Sequence, residues 1–85
     1  METNPLHYGL PSRIQLVNLG KNRIGISKVI KSRIIQKDAA KIVAITSQIK
    51  KVNPGLEVSL ICSRNICSKS IILLKNEGIE IKYVD

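Results

Sequence analysis

The stretch LICSRNICSKS, residues 60–70, gathers two thiols, a guanidinium, an amide, an ammonium and three hydroxyls between a β-branched run and a segment of helical pattern. A loop that leaves the carboxyl end of a parallel strand and opens a helix presents unpaired amides and the positive end of a helix dipole. Both attract anions. Ser63, Arg64, Asn65, Ser68 and Lys69 are the side chains a phosphate would meet there. The plainer reading is a helix cap, with Ser63 or Asn65 accepting the first free amides and Arg64 standing in water.

Two other places could do chemistry, and Cys62 within the same stretch is a further candidate. His7-Tyr8 offers a general acid or base for cleaving RNA without metal; as the sole histidine, His7 would need Tyr, Lys or Arg as its partner, and an ordinary surface histidine in a loose leader is the plainer reading. Glu80-Ile81-Lys82 carries the end of a carboxylate-plus-lysine nuclease pattern, but Glu57 is the only acid on the preceding expected strand, so a solvated charge pair at a strand edge is the simpler reading. Cys62 ends the expected strand. In this respect the loop is similar to that of a rhodanese or a cysteine-dependent phosphatase, which would make Cys62 a nucleophile in sulfur or phosphate transfer. Where such loops place arginine this chain has Cys67, and the loop has no glycine, so activation of the thiol would fall to the helix dipole alone. Two buried structural cysteines account for the pair more simply.

The elements that must position these residues follow from periodicity. RIQLVNLGKNRIGIS reads as two short strands around a Gly20-Lys21-Asn22 turn. Residues 28–37 stay open between helix and strand. From Asp38, which can cap free amides, Ile42, Ile45, Ile49 and Val52 recur at helical spacing until Asn53-Pro54-Gly55 ends the run, with Lys41 off the apolar stripe. LEVSLIC at 56–62 is then a strand, NICSKSIILLKNEG a helix closed by Gly78, and IEIKYVD a last strand. The expected fold is a small single α/β (mixed α+β) domain. An N-terminal β-hairpin precedes a helix and a C-terminal β-α-β unit on one mixed sheet. Residues 1–12 form an extended leader and 13–85 the basic domain.

Composition narrows the partners. The 85 residues have no Trp or Phe and two Tyr, so 15 Ile, 8 Leu and 6 Val must fill the core. Base-stacking modules that need exposed rings are disfavoured. The longest apolar run, Ile71–Leu74, is far too short to span a bilayer. Two cysteines and one histidine are too few for a zinc site or a disulfide scaffold, so reduced thiols in a cytosolic setting, no metal and no other cofactor are expected. The net charge of +8 belongs to one half: residues 13–51 hold ten Lys or Arg against Asp38 alone, while residues 52–85 balance. Such a block suits a polyanion, because neutralising phosphates releases counterions. A solvated basic surface is the alternative, and an anionic membrane surface or an acidic protein partner would use the same charges.

The terminal CSKSIILLKNEGIEIKYVD, together with the small size and basic first half, resembles the toxic C-terminal domains of bacterial polymorphic and contact-dependent inhibition systems. Many of these end in a serine- or lysine-bearing loop, a short helix, a "GI" turn and a last strand. The resemblance covers residues 54–85. It implies a nuclease, most often acting on transfer RNA, delivered from a secreted or cell-surface parent into a target-cell cytoplasm. It also implies a cognate immunity protein and, in some cases, a host cofactor protein. The expectation is an RNA-binding domain using Arg13, Lys21, Arg23, Lys28, Lys31, Arg33, Lys37 and Lys41. As a metal-independent ribonuclease it would use His7 as acid or base and Arg64 or Lys69 to stabilise the phosphorane. A non-catalytic RNA- or DNA-binding module is the alternative, and a cysteine-dependent sulfur or phosphate transferase the further one.

Overall fold

The computed structural model describes residues 2–84. A short 3-10 turn at Pro5–Tyr8 leads into strands β1 (Gln15–Gly20) and β2 (Arg23–Lys28), helix α1 (Gln36–Val52), strand β3 (Glu57–Cys62), helix α2 (Ser68–Asn76) and strand β4 (Glu80–Tyr83). The four strands lie side by side in sequence order; β1 is antiparallel to β2, and β2, β3 and β4 are mutually parallel. The mixed α+β architecture matches the sequence expectation, with two successive β-α-β crossovers rather than one. Crossovers of one hand that step in one direction leave their helices on one face of the sheet. Accordingly, α1 and α2 pack against each other.

The strands alternate as a half-covered sheet requires. Ile24 and Ile26 of β2, and Val58, Leu60 and Cys62 of β3, lie in the core beneath the helices together with Ile79. On the opposite face Leu19 and Ile61 close over Gly25. A Cβ at Gly25 would stand 2.6 Å from Ile61 Cδ1 and 3.0 Å from Leu19 Cδ1, so glycine lets these side chains cover the strand. The hairpin turn is tight: Gly20 and Asn22 adopt positive φ, and Asn18 Oδ1 accepts the Gly20 amide at 2.9 Å.

Helix α1 begins two residues before Asp38. The Asp38 carboxylate reaches back from the first turn to accept the Ile35 amide at 3.1 Å, so it caps from inside the helix. Its buried stripe is Ala39, Ile42, Thr46 and Ile49. Thr46 fits because its hydroxyl donates to the Ile42 carbonyl at 2.9 Å. Ile45 is only partly covered and Val52 is exposed at the last helical position. The leader is not extended throughout. Tyr8 and Leu10 are buried, the Tyr8 hydroxyl donates to the Glu2 carbonyl at 2.6 Å, and Gln48 of α1 donates to the Tyr8 carbonyl at 2.9 Å.

Residues 28–37, ambiguous in sequence, divide three ways. Lys28 ends β2, Gln36 and Lys37 begin α1, and the loop between them joins the loop after β3. Ile34 and Ile66 form a parallel bridge: the Ile34 amide donates to the Asn65 carbonyl at 2.8 Å and the Cys67 amide to the Ile34 carbonyl at 3.0 Å. Asn65 Nδ2 sits 2.8 Å, 3.2 Å and 2.7 Å from the carbonyls of Ile30, Lys31 and Ser32. Asn65 thus clamps the facing loop instead of capping α2. Replacing it, as Asn65→Ala, removes the donors for these carbonyls. The expected loss is about 1–3 kcal/mol of stability, read as a lower urea midpoint with an unchanged m-value.

Candidate nucleic-acid interface

Lys28, Cys62 and Tyr83 stand in register at the ends of the three parallel strands. They mark the carboxyl edge of the sheet, where open α/β sheets commonly bind ligands. Both helices start at this edge, and because β1 runs the other way its first residues lie there too.

This topology collects cations that are far apart in sequence. Arg13 precedes β1, Lys28 ends β2, Lys31 and Arg33 lie in the following loop, and Lys37 and Lys41 occupy the first turns of α1. Arg64 and Lys69 flank the start of α2. Of these eight, only Lys28 is half-buried; the rest are exposed. Among the described residues Asp38 is the acid at this edge, and its carboxylate is engaged with the Ile35 amide. Glu57 and Glu80 begin their strands at the opposite edge, and Glu77 just precedes β4. The molecule is therefore polarised along its strands. Two of the expected nucleic-acid residues fall outside the cluster. Lys21 is in the hairpin turn, and Arg23 opens β2 with its guanidinium 3.3 Å from the Glu57 carboxylate, both at the amino edge.

The expected catalytic trio is divided. Arg64 and Lys69 share the carboxyl edge. His7 is exposed in the 3-10 turn, edge-on to Tyr8 with ring centroids 4.9 Å apart, in a recess also lined by Glu2, Lys21, Asn22 and Asn53. That recess belongs to the amino edge. The six-residue strand β3 separates the two ends by about 20 Å. His7 therefore does not meet Arg64 or Lys69 around one phosphate.

The helix-opening loop resolves into distinct roles. Arg64 lies over the Tyr83 ring, 4.9 Å from its centroid, which fixes a cation beside a phenol at the edge. Cys62 is fully buried, and burial pushes its thiol pKa up. Cys67 is the N-cap of α2 and half-buried. Its Sγ lies 2.9 Å from Ser70 Oγ and accepts the Ser70 amide at 3.4 Å. The Ser70 hydroxyl and amide, aided by nearby Arg33 and the Lys69 amide, hold this thiol below the ordinary range. Reading the strand end as the reactive position pointed to Cys62. The Cys67-x-x-Ser70 spacing at a helix start was the signal for the other thiol. Glu80 and Lys82 pair with each other at 3.5 Å on the edge strand. Among the described residues no group of three or more His, Cys, Asp or Glu is arranged to hold a metal ion.

Comparison of the chain with protein-family models, curated proteins and solved structures finds no match. No helix among the described residues is long and apolar enough to cross a membrane.

The two thiols should separate in reactivity. A lowered pKa puts more thiolate at Cys67 at any given pH, so iodoacetamide near neutral pH should alkylate Cys67 first. Cys62 should react only in denaturant. Peptide mapping by mass spectrometry reads both, and equal labelling in the folded protein would contradict the assignment.

Proposed function

We propose that this protein binds the phosphate backbone of RNA along the carboxyl edge of its sheet. The observation that carries this reading is the gathering of eight of the fourteen Lys and Arg residues at one edge, with one internally engaged acid there among the described residues. Like charges crowded together repel, and a polyanion relieves that repulsion while releasing its own counterions. The starts of α1 and α2 add two positive dipole ends at the same edge. The Ile34–Ile66 bridge fixes the two cationic loops relative to one another, so the charges are presented with little ordering left to do.

A ribonuclease reading remains the second proposal, and the Arg64–Tyr83 contact favours it. There a phenol and a guanidinium meet at the edge that would carry the RNA, with Lys69 in the first turn of α2. In that reading Arg64 stabilises the phosphorane and Tyr83, rather than His7, handles the proton. Cleavage would appear as discrete transfer RNA fragments in EDTA that disappear with Arg64→Ala.

The binding reading is tested by position-specific charge reversal. Lys31→Glu with Arg33→Glu should weaken RNA binding and flatten the dependence of log K on log salt by roughly one to two. Lys50→Glu with Lys51→Glu changes the net charge equally at the other end of α1. It should leave the slope nearly unaltered. Equal effects from both pairs would mean that net charge, not the edge, attracts RNA.

A further inference from the structure

A cleft of about 640 Å³ opens on the helix side of the sheet between the end of the leader, the end of β2 and the outer turns of α1. Its floor is Ile26 and Ile42, both buried, and its walls include the half-covered Ile14 and Ile45. Arg13, Lys28 and Lys41 stand among its lining residues. These three also belong to the cationic edge, so the cleft continues directly from that surface. Its size falls within the range of small-molecule sites, which pair an apolar interior with a few charged groups.

We propose that this cleft receives a nucleobase of single-stranded RNA whose phosphates lie on Arg13, Lys28 and Lys41. The inference rests on the RNA-binding reading and adds a preference for unpaired strands. Single-strand binders usually cover bases with exposed aromatic rings. Here Tyr8 is buried, the Tyr83 ring carries the Arg64 guanidinium, and neither tyrosine lines the cleft. The isoleucine slot is the apolar enclosure the edge provides. An anionic amphiphile with a hydrocarbon tail would suit the slot but engage only the cations around it. The charges run on through Lys31, Arg33 and Lys37 to Arg64 and Lys69, as a chain of phosphates requires.

The test compares a short fluorescein-labelled RNA strand with an abasic strand of the same ribose-phosphate backbone, by anisotropy with the full chain. The base-bearing strand should bind about fivefold or more tightly, from burial of the base face against isoleucine. Ala44 is exposed and lines the cleft. Ala44→Leu, a bulkier side chain with no ring on which a base could stack, should fill the slot and abolish that difference while leaving abasic affinity in place. Val29→Met, from an exposed loop position on the other side, should do the same if the helix substitution disturbs folding. Equal binding of both strands by the unaltered protein would overturn the cleft assignment and leave backbone binding standing. Failure to bind either strand would overturn both readings. If decyl phosphate, and not the base-bearing strand, shifts the methyl resonances of Ile14 and Ile45, the slot belongs to an amphiphilic anion and the nucleobase assignment falls.

Discussion

The junction between residues 29–35 and 63–67 is the constraint on which the carboxyl edge depends. Two loops that could have moved independently are stitched by the Ile34–Ile66 bridge, and the Asn65 amide spans three carbonyls of the facing loop. Among the described residues Asn65 Oδ1 is buried with no hydrogen-bond partner, so the side chain acts here through its donors. The same junction supports α2 from below. Ile34 and Ser70 are fully buried, and the Ser70 hydroxyl lies 3.5 Å from the Ile34 carbonyl and 2.9 Å from Cys67 Sγ. Loop geometry, helix start and thiol acidity are thus set by one hydrogen-bonded knot.

Charge placement follows from topology built on that knot. The parallel run of β2, β3 and β4 sends both helix starts and these three strand ends to one edge. The antiparallel β1 brings Arg13 to the same place. Lys50, Lys51 and Lys75 close their helices at the other edge, which also carries Glu57, Glu77 and Glu80. An even spread of net positive charge would attract a polyanion without orienting it. This distribution attracts and orients, and its long-range part weakens with salt as exposed charges are screened.

Much of the scaffold was legible because local signals agreed with one another. The alternation at Ile24 and Ile26, the turn at Gly20–Asn22, the stop at Asn53-Pro54-Gly55 and the positive-φ Gly78 each mark what the structure contains. Residues 28–37 were illegible for a physical reason. Ile34 is buried as a bridge residue while Val29 and Ile35 are about half exposed, so the segment follows neither helical nor strand period. The edge itself required three dimensions: Lys21 and Arg23 belong to the basic half of the sequence but stand at the amino edge. Arg64 lies outside that half and joins the cluster. Likewise, nothing local to His7 revealed that burial of Tyr8 would hold the leader at the end remote from Arg64.

The most direct measurement is a titration of isotope-labelled protein with a short single-stranded RNA, followed by amide NMR. Shifts are expected to concentrate at Arg13, Lys28, Lys31, Arg33, Lys37, Lys41, Arg64 and Lys69, with the signals of Lys21, Arg23, Lys50, Lys51 and Lys75 nearly still. Shifts centred on His7 and the hairpin turn, or spread evenly over both edges, would contradict a binding surface at the carboxyl edge.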